Sequence, residues 1–206
     1  MRFSQHKEVA VLVLNWNGRT LLQQFLPSWL AHTPDYADLI IVDNGSTDDS
    51  VSFLQEHYRD VHLLAFEENL GFAGGYNQAI EELDYQTVIL LNSDVELTSG
   101  WLDQPMQLLN SSPEIAAVQP TLRAQRSPKD FEYAGAAGGF IDRLGYPFCR
   151  GRIFDTIEED RGQYADSVDL FWASGACLII RRAVYREVGG LDTLFFAHQE
   201  EIDLCW

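Results

Sequence analysis

Three stretches of this sequence place oxygen-bearing side chains where packing alone would not call for them. LLNSDVEL, residues 90–97, continues an apolar run, TVILL, into Asn92, Ser93 and Asp94. A carboxylate there is a hard oxygen donor. Mg2+ or Mn2+ bound through one such carboxylate would complete its shell with water and phosphate oxygens. Asp94 is therefore a candidate to hold a divalent metal against a diphosphate, the alternative being an acid that caps the next helix. IIVDNGSTDDS, residues 40–50, ends a second apolar run in Asp43. That carboxylate can bond the following turn, or it can accept hydrogen bonds from a pyrimidine imide or a ribose hydroxyl. HQEEIDLCW, residues 198–206, concentrates Glu200, Glu201 and Asp203. On a helix Glu200 and Asp203 share a face while Glu201 points elsewhere, so one acid can work as a general base while another favours the helix start, the simpler role for all three. His198 beside them is read as a packing or surface residue.

NLGFAGGYNQA, residues 69–79, is a glycine-rich turn opening a helical pattern. Gly74-Gly75 would let the backbone come close to a phosphate or sugar, and helix N-terminal amides favour an anion. The lysine of a P-loop and the GxGxxG spacing of a dinucleotide fold are both absent.

The elements that must position these residues follow from hydrophobic period. EVAVLVLNW, residues 8–16, reads as a buried strand ending in Asn15-Trp16-Asn17-Gly18, and LLQQFLPSWL as a helix that Pro27 bends or shortens. LIIV is a second strand; Ser46 or Thr47 is expected to cap a helix with Asp48 and Asp49 in its first turn. VHLLAF and TVILLN are further strands, each followed by a helical pattern, ENLGFAGGYNQAIEEL and SGWLDQPMQLLNSS. Such alternation predicts right-handed crossovers and a mainly parallel sheet in an α/β fold. Ligands gather at the carboxyl ends of the strands in such sheets, where Asn15, Asn17, Asp43, Asn69, Asn92 and Asp94 all fall. From about residue 120 to 170 the period is lost among glycines and scattered aromatics, which predicts a long excursion with short strands. ACLII then restores a strand, followed by a short helix closed near Gly189-Gly190.

The chain has 206 residues, 46% of them hydrophobic, which predicts one compact domain with a substantial core. A formal net charge of −17 makes a nucleic-acid backbone a poor partner. Three cysteines without metal or disulfide spacing suit a reducing, cytoplasmic setting, and no signal peptide or membrane span is legible. A helix that has barely begun at Trp206 predicts that the natural protein runs on.

Read in order, VLNWNG, IIVDNGSTDDS, NLGFAGGYNQA, LLNSDVEL, ASGACLIIRR and FFAHQEEIDLCW resemble the motifs of the family 2 glycosyltransferases, especially the bacterial rhamnosyltransferase-like branch of surface-polysaccharide synthesis. The resemblance implies a GT-A fold with a smaller irregular or β region, a nucleotide-binding half over residues 1–119 and an acceptor and catalytic half over 120–206. It implies inverting transfer of a sugar from a UDP- or dTDP-linked donor to the hydroxyl of a saccharide or lipid-linked saccharide, with Mg2+ or Mn2+, at the inner face of the cytoplasmic membrane. Carried over by position, Asn15, Asn17, Asp43, Gly71, Asn77 and Asn92 would bind the donor nucleotide. Asn92 replaces the first acid of the family's DxD-like motif; Asp94 matches its last acid and would bind the metal. Ser174 and Gly175 would lie near donor sugar and acceptor, and Glu201 would be the base, with Glu200 its competitor. Any contact with a membrane is expected from regions after Trp206. A nucleotide-sugar-binding module without turnover and a nucleotidyltransferase are the alternatives.

Overall fold

The computed structural model describes residues 7–133, 135–195 and 198–206. Six strands form the central sheet, and their order explains why the polar residues collect at one end. β1 (Val9–Asn15), β2 (Ala37–Asp43), β3 (His62–Ala65) and β4 (Thr87–Leu91) run parallel, joined by α1 (Arg19–His32), α2 (Ser50–His57) and α3 (Gly71–Glu82). α4 (Asp103–Ser111) leads to β5 (Ala117–Val118). The later strand β12 (Cys177–Arg181) inserts antiparallel between β4 and β5, giving the order β3-β2-β1-β4-β12-β5. Strand β12 is followed directly by α5 (Arg182–Glu187), and α6 (Glu200–Cys205) closes the order of elements.

The continuous apolar runs of β1, β2 and β4 follow from burial on both faces. Val9, Val11 and Val13 pack under α1, α2 and α4, against Leu22, Leu26, Trp29, Leu54 and Leu109. Ala10 and Leu12 face the opposite layer, with Tyr76, Ala79 and Ile80 of α3 and Tyr185 of α5. A Leu12→Ala change in such a core costs about 2–5 kcal/mol. Pro27 neither ends nor shortens α1, which runs on to His32.

The expected cap of α2 is corrected. The helix starts at Ser50, with Asp48 and Asp49 before it, because Ser46 and Thr47 spend their polar groups on the neighbouring loop at Asn17. Asp48 instead accepts the Ser50 amide at 3.0 Å.

The excursion is a small β-structure. β6 (Arg123–Ala124) pairs with β7 (Ser127–Phe131), and β8 (Gly139–Ile141), β9 (Pro147–Cys149), β10 (Arg152–Ile153) and β11 (Thr156–Ile157) form an antiparallel meander. Its own core gathers Phe131, Ala136, Ala137, Cys149 and Trp172. A side chain at Gly139 would fall on the Trp172 indole, and one at Gly151 on the Phe131 ring, so both glycines are required for that packing.

At the amino end of the sheet sits a buried acid, Asp38. It takes an ion pair from Lys7 at 3.0 Å and the Tyr85 hydroxyl at 2.8 Å, with His62 3.9 Å away. Among the described residues no helix is long and apolar enough to cross a membrane.

Candidate functional site

The parallel register sets Asn15 directly beside Asp43 at the carboxyl ends of β1 and β2, and both are buried. The Asn15 amide donates to the Asp43 carboxylate at 2.8 Å and to the Ser46 hydroxyl at 3.2 Å, while the Ser46 amide donates to the other Asp43 oxygen at 3.0 Å. Asn15 Oδ1 is buried without a donor. Such an orphaned acceptor costs stability unless something binds it. A Cβ at Gly18 would lie 2.3 Å from that oxygen, so glycine leaves the room that the Asn15 side chain occupies. Asn17, at a left-handed φ of 50°, accepts the amides of Thr47 and Asp48 at 2.7 and 3.2 Å. Its carbonyl thus sews the β1–α1 loop to the β2–α2 loop. Between the two asparagines the Trp16 indole stands exposed, an aromatic face that charge and hydrogen-bond criteria passed over.

The glycine loop is tied to the same edge. Asn44, next to Asp43, donates to Asn69 Oδ1 and the Gly71 carbonyl, both at 2.9 Å, and accepts the Leu70 amide at 3.0 Å. Gly71 has φ +74° with open space where a side chain would project. Gly75 has a different role from the one its pairing with Gly74 suggested: a Cβ there would lie 2.7 Å from Leu14 and 3.1 Å from the Asn44 amide nitrogen, so it allows α3 to pack on the sheet. Asn77 is engaged elsewhere. Its amide donates to the Leu191 carbonyl at 2.8 Å, and its oxygen accepts the Tyr185 hydroxyl at 2.6 Å and the Leu191 amide at 3.0 Å.

Leu14, Leu21, Phe72, Asn92, Ser93 and Asp94 line a cleft of about 270 Å³ at the ends of β1 and β4. Gly175 sits close to the Phe72 wall of this cleft and to Glu201 of α6. A Cβ on Gly175 would lie 3.6 Å from the Phe72 ring and 3.8 Å from Glu201 Cβ. Ser174 is buried; its amide donates to Gln119 Oε1 at 2.7 Å and its hydroxyl accepts the Ala176 amide at 3.1 Å. The Asn92 amide in turn donates to the Ala176 carbonyl at 3.1 Å. The Ser174–Gly175 turn is therefore hung from the strand that presents Asp94. Gln119 has no motif signal; only the tertiary contact reveals it.

α6 begins after two consecutive left-handed residues, His198 and Gln199, at φ 72° and 77°. Backbone strain of this kind concentrates where geometry is over-determined. Glu200 is buried with Oε2 unpartnered, whereas Glu201 is half-buried and faces Gly175. Burial, with a smaller contribution from the Glu200 charge, raises the Glu201 carboxyl above the usual glutamate range against the opposing pull of nearby amides and His198. The thiols of Cys149 and Cys205 are likewise pushed up by burial and, less, by Glu201. The preceding FFA of the motif falls partly outside the described residues.

Among the described residues no three His, Cys, Asp or Glu side chains gather as a metal cage. Asp94, flanked by Asn92 and Ser93 in the cleft, offers one carboxylate and neutral oxygens. That set fits an ion completed by diphosphate and water, which is how Mg2+ is commonly held, and does not fit an all-protein site.

Known proteins are similar to this chain in sequence and in fold. N-acetylglucosaminyl-diphospho-decaprenol L-rhamnosyltransferase of Mycobacterium tuberculosis is 27% identical over 94% of this chain and 68% of its own length. The low-salt glycan biosynthesis hexosyltransferase of Haloferax volcanii is 21% identical over 97% of this chain and 61% of its own. Among solved structures, a Pyrobaculum calidifontis mannosyltransferase in complex with GDP-Man and Mn2+ superposes with a TM-score of 0.64 at 16% identity, covering 98% of this chain and 51% of that one. S. aureus TarS 1–349 in complex with UDP gives a TM-score of 0.62 at 14% identity over 96% of this chain and 54% of that one. The chain thus spans about half the length of these solved proteins, and its fold is the GT-A fold. The sequence profile described as "Glycosyl transferase family 2" matches residues 10–189, and the chain belongs to that family.

Proposed function

We propose that this chain transfers a sugar, with inversion, from a UDP- or dTDP-linked donor to the hydroxyl of a saccharide carried on a lipid, in the synthesis of a bacterial surface glycan at the cytoplasmic face of the membrane. Residues 1–119 form the nucleotide-binding half of a single domain and 120–206 its acceptor and catalytic half. The observation that supports this reading is proximity: Asp94 and Phe72 line the cleft, and a side chain at Gly175 would touch both Phe72 and Glu201. The lipid-linked acceptor is suggested by the name of the mycobacterial relative.

The nucleoside is held at the Asn15–Asp43 pair, where the orphaned Asn15 oxygen accepts a donor from the base or ribose. Trp16 covers the base. Asn17 and Gly71 act by holding the two loops that border it, and Asn77 acts at a distance by fixing α3 to the Leu191 segment. Asn92 and Asp94 meet the diphosphate, Asp94 as the ligand of a divalent ion. When bound, Mg2+ or Mn2+ supplies positive charge against the leaving diphosphate. Ser174 and Gly175 border the transferred sugar.

Glu201 is the general base. Its raised affinity for a proton makes it a stronger base than an exposed glutamate, and it needs to come within about 3 Å of the acceptor oxygen. It takes the proton of the acceptor hydroxyl as that oxygen attacks the anomeric carbon. The new C–O bond forms on one face while the bond to the diphosphate oxygen breaks on the other. Glu200, buried behind it, raises the Glu201 carboxyl's proton affinity further.

Titration calorimetry of UDP, dTDP and GDP with Mn2+, with Mg2+ and with EDTA tests the reading. Binding of one nucleotide that disappears with EDTA is expected. A folded chain that binds none of the three in the presence of metal overturns it.

A further inference from the structure

One carboxamide joins three segments that are far apart in sequence. Gln119 follows β5 at the edge of the sheet, and Pro120 after it has no amide with which to continue a ladder. Its Oε1 accepts the Ser174 amide at 2.7 Å, and its Nε2 donates to the Gly135 carbonyl at 3.0 Å, with the Ala136 carbonyl 3.5 Å away. Both ends of one half-buried side chain are therefore spent, one on the segment before β12 and the other on the root of the excursion.

On the excursion side the approach is close. Gly135 stands at φ +104°, and a Cβ there would fall on Ser174 Cβ and lie 3.2 Å from Gln119 Nε2, so the excursion backbone packs directly on the turn. This stretch belongs to the meander: the Gly135 carbonyl also accepts the Gly138 amide at 2.7 Å, the Ala137 amide donates to the Arg150 carbonyl at 3.1 Å, and Ala136 lies in the small core. Ile202 and Cys205 of α6 pack on that core too. On the other side, Ser174 passes the contact through Ala176 to Asn92, while Gly175 faces Phe72 and Glu201. The excursion thus supports α6 directly and the Ser174–Gly175 turn through Gln119. One body sets the distance between them.

The chemistry of the position is specific to an amide. It needs an acceptor facing an N–H and a donor facing two carbonyls. A carboxylate supplies the first and not the second, and an apolar chain of similar length supplies neither.

We propose that Gln119 is a positioning residue: through it the excursion fixes the Ser174–Gly175 turn at the wall of the cleft, and so sets how the transferred sugar is held beside Glu201. This rests on the placement of that sugar in the proposed function. The nucleoside end at Asn15 and Asp43 is held by other loops and does not depend on Gln119.

Two measurements on the full chain test this in two variants. Gln119→Met removes both bonds, whereas Gln119→Glu at about pH 8, where a carboxyl is ionised, keeps an acceptor for the Ser174 amide and sets an oxygen against the Gly135 and Ala136 carbonyls. The first measurement is amide exchange over residues 172–177, read by mass spectrometry. Faster exchange is expected in both variants; exchange unchanged in Gln119→Glu overturns the link to the excursion. The second is calorimetry with Mn2+, comparing UDP and dTDP with UDP-glucose, dTDP-glucose and dTDP-rhamnose. Both variants should bind the bare nucleotides as the parent does and the sugar-bearing ones about tenfold more weakly. A merely structural role weakens both kinds together, and that result overturns the positioning role, as does an unchanged ratio between them. So does a parent chain that binds bare nucleotide but no sugar-bearing form. A parent chain that binds no nucleotide at all overturns the proposed function instead, and the exchange measurement, which needs no ligand, still decides whether Gln119 joins the two segments.

Discussion

Each end of the central sheet buries one aspartate, and the two are treated in opposite ways. Asp38 at the amino end is 3% exposed and meets Lys7 at 3.0 Å and the Tyr85 hydroxyl at 2.8 Å. Asp43 at the carboxyl end is 1% exposed and receives only neutral donors, from Asn15 and Ser46; among the described residues no cation pairs with it. Burying a charge without a counter-ion is costly. The same end adds an Asn15 oxygen and a Glu200 oxygen without partners. One end of the sheet is closed electrostatically, while the other retains unmet polar capacity of the kind a ligand can use.

The largest expected consequence concerns Glu201. Glu201→Gln should reduce sugar transfer about 10²- to 10⁴-fold with nucleotide affinity unchanged; comparable turnover in steady-state assays would remove the base assignment. Next comes the contrast between the aspartates. Asp38→Asn should cost roughly 2 kcal/mol in urea unfolding, discounted because Lys7 is a third exposed, and leave nucleotide binding intact. Asp43→Asn should weaken nucleotide binding about tenfold and also cost stability, because the new NH2 faces the Asn15 or Ser46 donor. Equal nucleotide affinity in the two variants would erase the distinction between the ends. Asp94→Ala should make nucleotide affinity the same with Mn2+ and with EDTA, and calorimetry that still shows a metal-dependent difference would displace Asp94 as ligand.

The smallest effect is in pH. Because the folded Glu201 carboxyl is raised above its unfolded value, its contribution to stability is fully present below the unfolded value and is lost as pH rises through the folded one. Transfer should run the other way, failing as pH falls through that same raised value. Glu201→Gln should abolish the stability component of this profile in thermal melts taken across the acidic range.

How much of this was legible in sequence differs between the halves for physical reasons. β1, β2 and β4 are buried on both faces, so they leave unbroken apolar runs, and the residues after them could be placed at the strand ends before any coordinates. The start of α2 was misplaced because Ser46 and Thr47 have cap-forming side chains whose partner, Asn17, lies across the sheet. Asn77 and Asn69 look equivalent in a glycine-rich stretch; what separates them is Leu191, a contact that no local pattern records. Strands of two or three residues, as in β6, β9 and β10, are too short to show a period. The phase of α6, which turns Glu201 toward Gly175, depends on two left-handed residues that carry no glycine signal.

The insertion of β12 between β4 and β5 has a consequence for how the protein is made. Strand β4 emerges from the ribosome with β1 available on one side, but its other edge waits for Cys177–Arg181, the partners of Leu91 to Thr87. At ordinary synthesis rates that is a delay of several seconds, during which the strand that carries Asp94 presents an unpaired apolar edge. The nucleotide-binding half therefore cannot mature ahead of the rest of the chain, and long-range closure of this kind slows folding. Nascent chains stalled before residue 177 should be the ones most dependent on chaperones.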